Sequence, residues 1–190
     1  MNANWNVYNL NHLTVTLLFG SREIYIIMNL SLLRRKAISF LKRPPFQQCW
    51  FLPAWILLGI SKALVFTIPF KRLAPKLGYP AGAIQWIPII TQQQHARALQ
   101  IGRVIKMAAI YTPWDSNCFP QAVTARLLLG LYGIPYTMFF GLASDPKTKE
   151  MKAHAWVASG GISVTGGVSF QQFTVVGSFV APQLVQVFQR

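Results

Sequence analysis

The sequence predicts an α+β fold, a helical N-terminal part followed by a helix that leads into antiparallel strands. Three observations predict it. Apolar residues recur at spacings of three and four over 29–43, 91–111 and 118–132. From Tyr136 onward, short aromatic and β-branched runs are separated by Gly-rich turns, which is strand and hairpin patterning. Gly133-Ile134-Pro135 divides the two regimes. Helices first and strands afterwards, in 190 residues, suit one domain with an appended segment.

Composition narrows the function classes. Hydrophobic residues make up 53% of the chain and charged ones only 12%, so its surface is poor in charge. The net charge is +14, from 18 Lys and Arg against four acids, Glu23, Asp115, Asp145 and Glu150. Any functional carboxylate must be one of these four. The positive excess favours an acidic peptide or an anionic membrane surface as partner. Nucleic acid is not expected, because the basic residues are scattered rather than gathered into an aromatic-studded stripe. Cys49 and Cys118 are the only cysteines, and His12, His95 and His154 the only histidines. With no CxxC and no HxxxH, neither a disulfide framework, nor a metal site, nor a cofactor is expected. Such cysteine usage suits a reducing, cytoplasmic compartment, with contact to a membrane surface left open.

Taken in order, residues 1–27 have no clear periodicity. Their short apolar run, Leu13–Phe19, lacks the basic start and small-residue site of a signal peptide. Met28 opens a more natural beginning, so 1–27 is expected to be a flexible terminus or an upstream extension from a mis-assigned start. Residues 28–80 form a basic and apolar helical segment. Within it, 29–43 reads as an amphipathic basic helix stopped by Pro44-Pro45. Cys49–Phe70 is the most apolar stretch. Counted past Lys62 it reaches membrane-spanning length, but a Lys at mid-span costs roughly 2.5–3.5 kcal/mol, so a helix buried or covered by a partner is expected.

Residues 81–190 form the core. A helix over 91–111 has Ala96, Leu99, Ile101, Val104, Ile105 and Ala108 as its apolar side, and His95 is read as a surface residue. Asp115, Ser116 and Asn117 suit an N-cap and Pro120 a first turn, so Cys118 sits at or just before the start of a helix that runs to about Tyr132 and stops at Gly133. Strands are expected at 136–142, 153–158, 162–165 and 173–180, with a polar loop over 143–152.

Cys118 at a helix start and His154 in a short strand, 36 residues apart, are the residues that could carry chemistry. A lone cysteine beside a helix is usually a small buried hydrophobe, and a lone strand histidine is usually structural. Together they fit acyl transfer. A helix N-terminus favours negative charge, the thiolate is the nucleophilic form of cysteine, and an imidazole can take and return a proton.

At these residues the sequence resembles a known family. Asn117-Cys118, Ala125-Arg126-Leu127-Leu128, Gly133-Ile134-Pro135, Gly141, Ala153-His154-Ala155-Trp156-Val157 and Gly160-Gly161 are similar to the maturation protease of lasso-peptide clusters. That protease has a transglutaminase-like (papain-like) cysteine-protease domain. The likeness is strong over 112–179, looser over 49–110, and absent over 1–27. It implies a peptidase that removes the leader from a ribosomally made precursor, with Cys118 as nucleophile and His154 as base. It implies three partners: the precursor's leader, a separate leader-recognition protein, and a cyclase that acts afterwards. The family's third member is an Asp beyond the Gly-Gly turn, where this chain has Val164-Thr165-Gly166-Gly167 and no carboxylate. The orienting group is therefore open among a backbone carbonyl, Thr165, Gln171, Gln172 and Asp115. Two other readings compete, another amidase or acyltransferase on the same scaffold, and a membrane-associated binding protein without activity.

Overall fold

The computed structural model describes residues 34–145 and 148–184, with main chain alone at 168–170. The proposed extension 1–27 lies outside the described residues. The chain divides into two compact units, Met1–Pro44 and Pro45–Arg190. In the first, residues 34–41 form α1, inside the helix expected over 29–43.

In the second unit, helices α2 (Pro45–Thr67), α3 (Phe70–Leu73), α4 (Gln92–Ile110) and α5 (Cys118–Leu131) accompany five strands. These are β1 (Tyr79–Gly82), β2 (Thr137–Ser144), β3 (Met151–Ser159), β4 (Ile162–Thr165) and β5 (Thr174–Val180). The fold is α+β, helices first. The sheet is antiparallel throughout, in the order β1-β5-β2-β3-β4.

Local chemistry sets most boundaries. Thr91 caps α4 with a reciprocal capping box, its hydroxyl accepting from Gln94 N–H while the Gln94 side chain accepts from Thr91 N–H. At the end of α5, Ile134 N–H donates to the Leu129 carbonyl at 2.9 Å and Gly133 N–H to Gly130 at 3.1 Å. That is a Schellman stop with Gly133 in the left-handed region, and Pro135 forbids more helix.

Helices α2, α4 and α5 pack on one another, and α5 and α4 lie on β3 and β4. Their shared core contains Leu58, Ile101, Ile105, Leu128, Leu129, Met138 and Val157. A smaller cluster of Phe139, Trp156, Ala158 and Val175, backed by Phe173, fills the other face of the sheet. Tyr136 ties α5 to the segment just before β1. Its hydroxyl donates to the Leu77 carbonyl at 3.0 Å and accepts from Arg126 Nε at 3.1 Å. Burial raises its pKa, against the opposing charge of Arg126.

Several expectations need correction. Gly78-Tyr79-Pro80 does not simply break the chain, because Tyr79–Gly82 pairs with β5 as an edge strand, a position in a sheet that tolerates Pro80. The loop expected over 143–152 is shorter than that, because its two ends, 143–144 and 151–152, are strand. β2 and β3 stay in register out to Ser144 opposite Met151, where Lys152 pairs with Asp145 at 2.6 Å. On α4, the buried side is Ala98, Ile101, Val104, Ile105, Met107 and Ala108. Ala96 is exposed and Leu99 partly so, and His95, read as a surface residue, is half-buried.

The apolar stretch becomes α2, long and apolar enough to cross a membrane by length and composition. Its inward face is the less apolar one: Gln47, Ala54, Leu58 and Ser61 are buried. Ser61 Oγ meets Thr124 Oγ1 of α5 at 3.3 Å. The outward face carries Cys49, Leu52, Ile56, Ile60 and Phe66 in the open, with Phe66 77% exposed.

Candidate active site

Cys118 is the first residue of α5, with Asn117 extended before it as N-cap. Its N–H is one of those a helix start leaves without an intrahelical carbonyl. The loop that delivers it, 111–117, is pinned from several sides. Thr112 Oγ1 lies 2.9 Å from the Ala109 and Trp114 carbonyls and from Ser116 Oγ. Gln121, one turn into α5, donates from Nε2 to the Ser116 carbonyl at 2.6 Å. Two further ties come from α2. Trp55 Nε1 donates to the Tyr111 carbonyl at 3.1 Å, and Lys62 Nζ to the Asp115 carbonyl at 2.8 Å. The Trp55 and Trp114 rings meet at 5.0 Å. The charge that interrupts the apolar stretch thus holds the approach to Cys118. Lys62→Met is expected to lower turnover roughly 10-fold through a displaced loop while the melting temperature moves by only a few degrees, as loss of one exposed hydrogen bond implies. Steady-state kinetics beside a thermal melt check it.

His154 lies on β3 opposite Gly141 of β2. It shares a strand face with Trp156, two residues on. Its ring stacks on Phe173 at 4.8 Å and on Trp156 at 5.8 Å. A Cβ at position 141 would lie 2.7 Å from Phe173 Cβ and 2.9 Å from the Trp156 ring, so glycine there leaves room for this stack. β4 pairs with β3 only from Val157 to Ser159. The chain leaves the ladder after Thr165, and the Gly166 carbonyl comes to 3.2 Å from His154 Nε2. A carbonyl can only accept, so Nε2 carries the proton in this bond and a neutral ring keeps its lone pair on Nδ1.

Cys118 and His154 line two grooves in common. One, about 650 Å³, runs between α4 and β4 past Arg103, Lys106, Ser163 and Thr165. The other, about 550 Å³, is walled by Phe70, Phe119, Phe140 and Phe179. A thiol and an imidazole that line common grooves beside a helix start are groups of the kind that acyl transfer uses.

Residues 64–178, well over half the chain, match the transglutaminase-like superfamily. The chain belongs to that superfamily. No curated protein and no solved structure gives a significant match. Members of the transglutaminase-like superfamily are generally cysteine-dependent enzymes. The matched region begins in the last turns of α2, so most of that helix precedes it.

Within this transglutaminase-like domain, the other sequence candidates fall as follows. Thr165 is buried and lines the groove, but its Oγ1 has no hydrogen-bond partner among the described residues. Gln171 is exposed and lines a different hollow, with Trp156 and Phe173. Gln172 is exposed. Asp115 is exposed in the loop before Cys118 and engages Lys62 through its main chain. Of the alternatives left open, it is the backbone carbonyl that reaches the ring. Among the described residues no cluster of His, Cys, Asp and Glu could hold a metal ion. Lys62, Gln121 and Gly166 were not singled out from the sequence. Lys62 reads from the sequence only as an interruption of the apolar stretch, and Gln121 and Gly166 carry no motif of their own.

Proposed function

We propose that this chain is a cysteine peptidase that removes the leader from a ribosomal lasso-peptide precursor. Cys118 is the nucleophile, His154 the base, and the Gly166 carbonyl the group that orients the imidazole. The observation that carries the reading is that Cys118 and His154 face both grooves together. His154 takes the thiol proton, and Cys118 Sγ attacks the scissile carbonyl. The imidazolium returns the proton to the departing amine, and water hydrolyses the thioester. The test mixes the protein with its cluster's precursor and leader-recognition protein and follows the products by mass spectrometry. One cut at the leader–core junction is expected. An uncut precursor, with every component folded and present, overturns the proposal.

In this reading the enzyme works in the cytoplasm, ahead of a cyclase that closes the freed core. The leader-recognition protein docks on the outward stripe of α2, where Leu52, Ile56 and Ile60 stand exposed. Trp55, by contrast, is engaged with Tyr111 and Trp114 of the same domain. Replacing Leu52, Ile56 and Ile60 together with Gln is expected to weaken pull-down of that partner at least 10-fold. Unchanged pull-down rejects the docking surface.

A further inference from the structure

The two grooves that meet at Cys118 and His154 have opposite chemistry. On the α4–β4 side, Arg103 and Lys106 stand one turn apart on α4 and both are exposed. No acid faces them. Asp145 is paired with Lys152, and Asp145 and Glu150 belong to the hairpin joining β2 and β3. Asp115 sits before the N-cap and lines neither groove. This wall holds two cations and no carboxylate.

On the other side the lining carries no charge apart from His154 itself when protonated. Phe140 meets Phe70, Phe119 and Phe179 at 5.5, 5.6 and 5.7 Å, edge to face. Phe70 remains half exposed at the rim. Rings that already touch one another in this way form a preformed apolar wall, and it loses little freedom when an apolar side chain is laid on it.

Because both grooves are lined by Cys118 and His154, an extended peptide whose scissile bond lies at Cys118 has room to enter one on each side of that bond. We infer that the site selects peptides carrying an aspartate or glutamate on one side of the scissile bond and a large apolar residue on the other. This deepens the peptidase reading and rests on it. Arg103 and Lys106 recognise the acidic side, and the phenylalanine wall the apolar side. The acidic preference weakens with salt, because both cations are solvated. The apolar preference does not.

A mixture of defined decapeptides, with cut positions read by mass spectrometry, tests this for the wild type and for R103E/K106E. The expected cuts place Asp or Glu on one side and Phe or Leu on the other, with roughly a 10-fold advantage over Lys-bearing counterparts at low salt. In R103E/K106E the charge preference should vanish or invert while the apolar preference stays. Cys118-dependent cuts with no charge preference, or with one that R103E/K106E leaves unchanged, overturn the inference and leave the peptidase reading intact. A second measurement is independent of turnover. Fluorescein-labelled acidic and basic decapeptides are titrated onto Cys118→Ala protein, followed by anisotropy at low and high salt. Acid-selective, salt-sensitive binding that R103E/K106E abolishes supports the basic wall even where the peptidase reading fails. Equal binding of both peptides, or equal competition by a single-stranded oligonucleotide of matching charge, overturns it.

Discussion

Cys118→Ala is expected to lose leader cleavage by roughly 10³-fold or more while keeping its melting temperature. Removing a nucleophile eliminates the covalent route rather than slowing it. Cys118 is only partly buried, so the lost sulfur leaves little cavity. His154→Ala should cost a comparable factor. The double variant should be no worse than either alone, because residues acting as one unit are not additive. Single-turnover cleavage of the precursor, followed by mass spectrometry, measures all three. Equal cleavage by wild type and Cys118→Ala would remove the thiol from the chemistry and leave the grooves as a binding site alone.

Gly166→Ala carries the second-largest effect. Position 166 has φ of +92°, which alanine adopts only under strain. A Cβ there would lie 2.3 Å from Trp156 Cβ and 3.1 Å from His154 Nε2. Relief requires the backbone to move, and the carbonyl that fixes the imidazole moves with it. A displacement near 1 Å suffices for roughly a 10²-fold loss in kcat. Gly167→Ala is the matched control, since its φ of +62° is also left-handed but, its chain neighbours aside, no atom of the described residues lies within 4 Å of the added methyl. The control should show a modest stability loss, about 1 kcal/mol, and near-normal turnover. If the two variants behave alike, the Gly166 carbonyl has no part in orienting His154.

These two sites show why part of the design is legible in the letters and part is not. α5 could be read because each end is set by a neighbour in sequence, Asn117 and Pro120 at the start and Gly133-Pro135 at the stop. His154 could be read because a strand with a Gly160-Gly161 turn is local as well. The orienting group could be named only as one of several alternatives, because a main-chain oxygen has no letter of its own. Only the departure of β4 from β3 after Thr165 brings it to the ring. β1 was missed for a related reason. Its partner β5 lies about a hundred residues away in sequence, and Pro80 argues against a strand until its edge position is known. The two faces of α2 were hidden differently. Hydropathy marks the whole helix as apolar, yet the side that is buried carries Gln47, Ala54, Leu58 and Ser61, while Leu52, Ile56 and Ile60 face outward.

The bond from Lys62 to the Asp115 carbonyl has a consequence for where this protein can reside. A helix such as α2 can be covered from outside, by another protein or by the surface of a bilayer, with that bond left in place. It cannot be drawn into a bilayer as a span without breaking that bond, the Trp55 bond to the Tyr111 carbonyl and the packing on α4 and α5, which together hold the segment that presents Cys118. Association along the outer stripe and transmembrane insertion are therefore opposite events for the thiol. The first leaves it mounted and the second sets it adrift, so a preparation that fractionates as an integral membrane protein should be an inactive one.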